Sequence, residues 1–404
     1  MAVPDATLAT AAKPPPSLIL MLGTLTALGP LAIDMYLPAL PSIAVGLNAP
    51  VSAAQQTVAV FLIGMAMGQL IYGPLSDRHG RRAPILVGVG LYVLGTIGCM
   101  VSPSIGTLIA CRLVQAVGAC AGMVLSRAVI RDLFPPSQVL HVLSLLMMVM
   151  GLAPILAPLL GGWILSVGDW RAIFGVQAVA GIAVGLAVLL TLKESRSEET
   201  ALHARSESPL ASYLALLRNR LMLGYLAAGA FSGAALFSYV SASPDVLIVQ
   251  HHVAPAAFGW VFGANAAGLI GATQVNARLA RRWPSDTILR RALAAACVAA
   301  LALFAAAATG VGGLWGILIP MFLIMASLGF SQSNAGAEAL KIDGRRAGAT
   351  SSLTGAAAFG AGSLAAAATG LLSNGTAVPM GAVILASLLT ALGALSALAP
   401  VRRS

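Results

Sequence analysis

Charge is scarce in this chain of 404 residues. Asp, Glu, Lys and Arg together make up 9% of it and hydrophobic residues 58%, against about 25% charged residues in soluble domains. With a mean hydropathy of +0.91 there is too little polar side chain to cover a soluble exterior, so a soluble fold is excluded. Aromatic residues amount to 5%. The basic residues behind the formal charge of +10 fall in short loops between apolar runs, a topological placement that gives no nucleic-acid surface. The four cysteines, Cys99, Cys111, Cys120 and Cys297, all lie inside apolar runs without CxxC spacing. That excludes a disulfide framework and a thiolate metal centre, and they read as small buried hydrophobes. His79, His141, His203, His251 and His252 sit in loops or near run ends with no metal-ligand or nucleophile partner, and no GxxxxGK[ST] loop occurs. An enzyme, a metal site, a cofactor and a nucleotide-driven pump are therefore not expected, and no residue is assigned as catalytic. No cleaved signal is expected in Met1 to Pro16, because the apolar stretch that follows is too long for a signal-peptide core.

What the chain has is long apolar runs. About twenty apolar residues are needed for a helix to cross about 30 Å of hydrocarbon, and twelve such runs can be placed: 17–38, 52–73, 83–102, 106–127, 139–165, 172–192, 219–243, 256–280, 287–309, 313–336, 346–370 and 376–398. The expected fold class is an all-α integral membrane protein of twelve transmembrane helices in two six-helix bundles. The expected organisation is a cytoplasmic tail (1–16), an N-terminal bundle (17–192), a flexible cytoplasmic linker (193–218) with a short interfacial helix near Leu210–Leu217, a C-terminal bundle (219–398) and a cytoplasmic tail (399–404). Of the 23 Lys and Arg, Arg171 is the one in an outer loop when the N-terminus is inside and Arg112 lies well within the fourth run, which leaves 21 on or near the inner face. Both termini are therefore expected in the cytoplasm. A shift of about 203 residues aligns Tyr36 with Tyr239 and Pro41 with Pro244, and sets Asp34 against Phe237, which suggests an internal duplication with charge only in the first copy.

The segment Leu28 to Pro41, in the first run and extending just past its end, holds one carboxylate, Asp34. A charged Asp near the bilayer centre costs roughly 2.5–3.5 kcal/mol on insertion scales, so a chain that keeps one is expected to use its protonation. In the fourth run, the segment Arg112-Leu113-Val114-Gln115-Ala116-Val117-Gly118 carries a second intramembrane charge. Arg112 must find an acid, a carbonyl or water, and Asp34 is one candidate partner; snorkelling to the outer face is the other reading. Between the second and third runs lies Gly73-Pro74-Leu75-Ser76-Asp77-Arg78-His79-Gly80-Arg81-Arg82, a tight turn in which glycine permits the reversal and Asp77 can accept bonds from a helix N-terminus. The corresponding loop of the second half keeps the basic cluster but has Arg281 at the acid position. The fifth run holds Gly151, Pro154, Pro158, Gly161 and Gly162, where prolines remove donors and small residues allow close helix approach.

The 73–82 loop resembles the GxLxDRxGRR loop of the major facilitator superfamily, and the Gly151–Gly162 segment resembles that superfamily's antiporter motif, with Ala157 where glycine is usual. Together with Leu28–Pro41, these features resemble the Bcr/CflA family of drug:proton antiporters. The resemblance implies a bacterial inner (cytoplasmic) membrane protein that exports small amphipathic drugs in exchange for protons. It needs no cofactor beyond the proton gradient and works as a monomer, its partners being substrate, protons and the lipid bilayer. It implies Asp34 and Arg112 as proton-coupling residues. A cytoplasmic gate would be formed by Gly73, Asp77, Arg78, Gly80, Arg81, Arg131 and Asp132, with Arg127 close by. Asp77 would latch onto the start of helix eleven, near Arg346–Ser351. Tyr36, Gln115, Met150, Phe237, Tyr239 and Asn265 are the expected substrate contacts, with Met123, Met147 and Met148 nearby. A proton-linked exporter of a natural metabolite (sugar, amino acid or peptide) is the alternative.

Overall fold

The computed structural model describes residues 16–196 and 208–400. Expected features at 1–15, 197–207 and 401–404 lie outside the described residues. In hydrocarbon every backbone N–H and C=O must be satisfied within the segment, so long apolar runs fold as helices. Among the described residues there are twelve long helices and no strand. The first six are α1 (Pro16–Asp34), α3 (Val51–His79), α4 (Arg82–Met100), α5 (Ile105–Leu133), α6 (Pro136–Val167) and α7 (Trp170–Thr191). The second six are α9 (Arg220–Pro244), α10 (Pro255–Leu279), α11 (Ser285–Thr309), α12 (Gly313–Ile342), α13 (Ala347–Leu371) and α14 (Val378–Leu398). Two short helices, α2 (Leu40–Gly46) and α8 (Pro209–Leu217), complete the set. Eleven of the long helices, α1 counted with α2, are apolar and long enough to cross a membrane; α13, rich in Gly, Ala, Ser and Thr, is less apolar.

The same neighbours recur in both groups of six. In the first, α1 packs on α6, α3 on α5, and α4 on α5 and α7; in the second, α9 packs on α13, α10 on α12, and α11 on α12 and α14. The main seams between the groups are α3 with α13 and α6 with α10. On the α3–α13 seam the Ser363 hydroxyl donates to the Ala59 carbonyl at 2.8 Å. On the other, a methyl on Gly259 would lie 2.9 Å from the Leu159 backbone.

The first crossing departs from the expected run of 17–38. The α-helix stops at Asp34, passes through a 3₁₀ turn (Leu37–Ala39) and resumes as α2 to Gly46. Pro38 and Pro41 open the two new helical segments; lacking N–H groups they interrupt the ladder without ending the crossing. Asp34 therefore lies inside the crossing, at a break. The counterpart, α9, ends at Pro244 in a π-helical turn, Asp245–Gln250.

Candidate functional site

A helix that stops inside the membrane leaves its last carbonyls without intrahelical partners. Two side chains from the same bundle supply donors. Arg112, on α5, donates from Nη1 to the Ala32 carbonyl at 2.9 Å and to Gln115 Oε1 at 2.7 Å. Gln177, on α7, donates to the Leu31 carbonyl at 3.3 Å. Gln115 completes the network by donating to Thr96 Oγ1 at 2.9 Å and Gln177 Oε1 at 3.0 Å. The guanidinium also lies against two rings, 4.5 Å from the centroid of Tyr36 and 4.2 Å from that of Phe61. Burying a guanidinium costs several kcal/mol. Two ring contacts at about 0.5–2 kcal/mol each, the bond to a helix C-terminus and the bond to Gln115 counter part of that cost without a carboxylate, while Nε and Nη2 have no hydrogen-bond partner among the described residues. Arg112 is fully buried, so it does not snorkel, and among the described residues no ion pair joins it to Asp34.

Asp34 is buried and makes no side-chain hydrogen bond among the described residues. It lies just before the 3₁₀ turn Leu37–Ala39, which packs against α9 and α10 of the other group of helices. The Tyr239 hydroxyl accepts from Asn265 Nδ2 of α10 at 2.8 Å, and its ring stacks on Phe262 with centroids 5.5 Å apart. Tyr36 is enclosed, with its hydroxyl 2.7 Å from Thr57 Oγ1. Phe237 packs on Phe359, centroids 5.5 Å apart. Two of the expected substrate contacts are enclosed in this conformation. Gln115 and Tyr36 have no exposed surface, because they are packed into the network that fixes the end of α1.

The small residues of α6 face this break and the opposite bundle. A methyl on Gly161 would lie 2.1 Å from the Met35 carbonyl oxygen, and one on Gly162 would lie 2.8 Å from that of Pro255. Gly151 faces the Ile270 side chain with more room, 3.6 Å. Pro154 and Pro158 lie within the same helix.

A cavity of about 540 Å³ opens at the end of the bundle that carries the basic loops. Gln69 is its innermost lining residue on α3, and eight residues, roughly 12 Å of helix, separate it from Phe61 beside Arg112. Gly73, Asp77, Arg78, Arg81, Arg127, Arg131 and Asp132 line it, with the first turns of α13 opposite. Met123 also lines it and accepts from Gln69 Nε2 at 3.5 Å through sulfur. The Met150 sulfur stands 3.9 Å from Arg127 Nη2, while Met147 and Met148 are exposed. Arg81 is buried and ties the loop together, bonding Asp77, Asp132 Oδ2 at 2.8 Å and Ser76 Oγ at 2.7 Å. Burial works against its charge, but the bonds to Asp132 and Asp77 outweigh that and raise its proton affinity. Among the described residues Asp77 bonds Arg81 and makes no bond to the start of α13, and both line the cavity.

Sequence reasoning missed Glu194, which it left in a flexible linker. Its carboxylate accepts from the backbone N–H of Arg81 at 2.7 Å, Arg82 at 3.2 Å, and Ser195 and Arg196 at 3.0 Å. An anion thus sits at the N-terminus of α4, where the helix dipole favours it. Partial burial opposes this charge, yet the four N–H donors outweigh it and hold the carboxyl below its ordinary range. Gly80 makes the arrangement possible. Its φ of +91° suits glycine alone, and a methyl there would lie 2.3 Å from Glu194 Oε2. Arg196 returns to the carbonyls of Asp77 and Arg78 at 3.2 and 2.6 Å. A signal existed in the sequence: Glu194 is the first acid after the sixth run, at the basic end of the bundle. Thr57, Thr96 and Gln177, which complete the buried network, carried no signal beyond being polar in apolar runs.

The family model of the Major Facilitator Superfamily matches residues 22–369. The chain is 34% identical to the bicyclomycin resistance protein homolog of Haemophilus influenzae, over 90% of this chain and 91% of that one. It is 32% identical to multidrug resistance protein D of Escherichia coli, over 80% of each. Its fold superposes on the xylose transporter XylE of E. coli in a partially occluded inward open conformation, with a TM-score of 0.74 at 14% identity over 96% of this chain and 98% of that one. Two repeats of six helices, the 73–82 loop and the α6 seam are thus accounted for together: the chain is a multi-pass membrane transporter, not an enzyme, and it belongs to the Major Facilitator Superfamily, in the Bcr/CflA group of its relatives.

Proposed function

We propose that this transporter exports small amphipathic drugs from the cytoplasm in exchange for protons, by alternating access, with Asp34 as the proton site. The names of its relatives, bicyclomycin and multidrug resistance, support the drug class. The observation that carries the reading is Asp34 itself. It is a buried carboxylate at a helix break beside the opposite bundle, and the neighbouring arginine is bonded to a backbone carbonyl and a glutamine instead of to it. A carboxylate without a cation partner can change its protonation as its surroundings change, and intramembrane acids of this kind mark proton relays. Broken helices near the midplane are where transporters of this architecture hold coupling ions.

In this cycle the inward-facing protein accepts substrate with Asp34 ionised. A proton arriving from outside then displaces the substrate once the outer side has opened. The basic end of the bundle is the cytoplasmic one, by the placement of Lys and Arg. Both termini are cytoplasmic in the bacterial inner membrane, and one chain suffices because it holds both bundles.

The test is proton movement in proteoliposomes as a panel of amphipathic drugs is added, comparing wild type with Asp34→Asn. Drug-triggered proton release only in wild type supports the exchange. Undiminished proton-driven export by the folded variant would remove Asp34 from the mechanism.

A further inference from the structure

A second buried acid stands outside the mechanism. Asp245 opens the π-helical turn that ends α9, and it is buried. Single π-helical turns inside helices are frequent at functional sites. The carboxylate accepts from Gln250 Nε2, five residues on, at 3.1 Å, and the Ser373 hydroxyl stands nearby. Among the described residues it has no ion-pair partner. The elements packed against it supply no cation at this end. α2 and the 3₁₀ turn hold no charged residue, and the single charged residues of α9 and α10, Arg220 and Arg278, lie at the inner ends of those helices. The other titratable groups here are Asp34 and Tyr36 before the 3₁₀ turn, Tyr239 on α9, and His251 and His252 just after the π turn.

The π turn is also where the two groups of helices meet on the outside. α2 of the first group packs on it, and the 3₁₀ turn of the first group packs on α9 and α10. The ends of two broken helices thus close the outer face, while the cavity opens at the inner one. Alternating access requires this outer contact to part. Parting it returns Asp245 to water, and remaking it encloses the carboxyl again with an amide as its bonded partner. A neutral carboxyl tolerates that enclosure, whereas a charged one gives up its hydration for one amide bond and no cation.

We propose that Asp245 is the titrating residue of an outer gate, which parts with the carboxylate ionised and closes with it protonated. The proton is taken from the outside and returned to it, so it biases which way the protein faces without being carried across. Acid outside, which loads Asp34 in the cycle above, then also favours closure behind it. The assignment rests on the alternating-access reading and adds the outer step to it.

The experiment is thiol labelling of the full-length protein in intact cells by a membrane-impermeant methanethiosulfonate, with the medium stepped from mildly acidic to mildly alkaline. Ser243→Cys is the reporter, because Ser243 is enclosed two residues before Asp245. Val311→Cys, exposed between α11 and α12, corrects for the pH dependence of the thiol itself, and wild type gives the background of the native cysteines. Labelling of Ser243→Cys relative to Val311→Cys is expected to rise severalfold towards alkaline medium, one linked proton allowing at most about tenfold per pH unit. With Asp245→Asn added it is expected to stay low throughout, and with Asp245→Glu to rise as before. Size-exclusion profiles matching wild type show that each variant is folded. Labelling that ignores pH, or an unaltered rise in Asp245→Asn, would overturn the proposal. Constantly high labelling in Asp245→Asn would mean that the side chain only braces the π turn, and loss of the rise in Asp34→Asn or in His251→Gln/His252→Gln would hand the titration to those groups; each of these likewise overturns it. The labelling uses no drug, so a silent drug-triggered proton assay with the pH-dependent labelling intact would refute exchange and leave the gate standing.

Discussion

Two glycines of the α6 motif look alike in sequence and differ in what surrounds them, and this makes Gly161→Ala a sharp test of the helix break. A methyl at 161 would stand 2.1 Å from the Met35 carbonyl oxygen, 2.9 Å from its carbon and 3.1 Å from its Cα. All three are backbone atoms, so no side-chain rotation relieves the contact; α6 or the broken segment of α1 must move by roughly an ångström to restore ordinary carbon contacts. Overpacking of that kind costs about 1–3 kcal/mol, and the backbone on both sides puts Gly161 at the upper part of the range. At Gly151 the nearest atoms belong to the Ile270 side chain at 3.6 Å, ordinary contact distance. There the better helix propensity of Ala, worth up to about 1 kcal/mol, makes Gly151→Ala neutral or mildly stabilising. Both variants would be heated in one detergent and followed by fluorescence-detected size exclusion. The Tm is expected to fall by several degrees for Gly161→Ala and to hold or rise for Gly151→Ala. A wild-type Tm for Gly161→Ala, or an equal fall in both, would refute the claim that α6 abuts the broken end of α1.

Three further outcomes follow from the same contacts. Arg81→Gln leaves Asp77 and Asp132 without their shared cation and is expected to destabilise by about 3 kcal/mol; adding Asp132→Asn should recover part of the lost Tm, and no recovery would speak against the pairing. Gln115→Leu strands donors and acceptors of Arg112, Thr96 and Gln177, so thermal stability should drop by about 2 kcal/mol or more, whereas a side chain that only touched substrate would change drug affinity at constant Tm. Glu194 has a carboxyl depressed in the folded protein. Its stabilisation is complete above the unfolded carboxyl range, near about 4.3, and is lost as pH falls through the lower folded value. The Tm gap between wild type and Glu194→Gln should accordingly be widest near about pH 6 and close under acid; a gap that widens as pH drops would contradict the N–H cradle.

The long helices were legible because hydropathy and length are local properties, and twelve apolar runs became twelve long helices. Boundaries were less legible where helices break within the membrane. Pro38 and Pro41 read as the end of a crossing, whereas the chain resumes helically to Gly46 because the surrounding helices supply partners for the interrupted ladder. The candidate site was legible as a set of unusual residue types, and Asp34, Arg112 and Asp77 stand out as charges in or beside apolar runs. Their partners were not legible, because they depend on tertiary contacts across long sequence separations. Arg112 meets a carbonyl 80 positions away, and Glu194 reaches the Arg81 amide 113 positions away. Gln115 was expected to face substrate because of its place in a helix. Nothing local to Gln115 tells that the broken end of α1 at Asp34 needs donors from within the bundle.

The division of labour at that break bears on how coupling can work. Had Arg112 paired with Asp34, the carboxylate would be held as an anion by a cation that never loses its charge, and protonation would have to break a buried ion pair, at about 3–5 kcal/mol. With Arg112 bound instead to the Ala32 carbonyl and Gln115, the arginine fixes the position of the helix end and leaves the acid free to change. The Tyr239–Asn265 pair then stands on the opposite bundle, so a movement of one bundle against the other alters the surroundings of Asp34 without disturbing the network that holds it. In the proposed exchange, rigid-body rocking about the α3–α13 and α6–α10 seams is thereby converted into a change in proton affinity at one carboxyl group, which is the link that coupling requires.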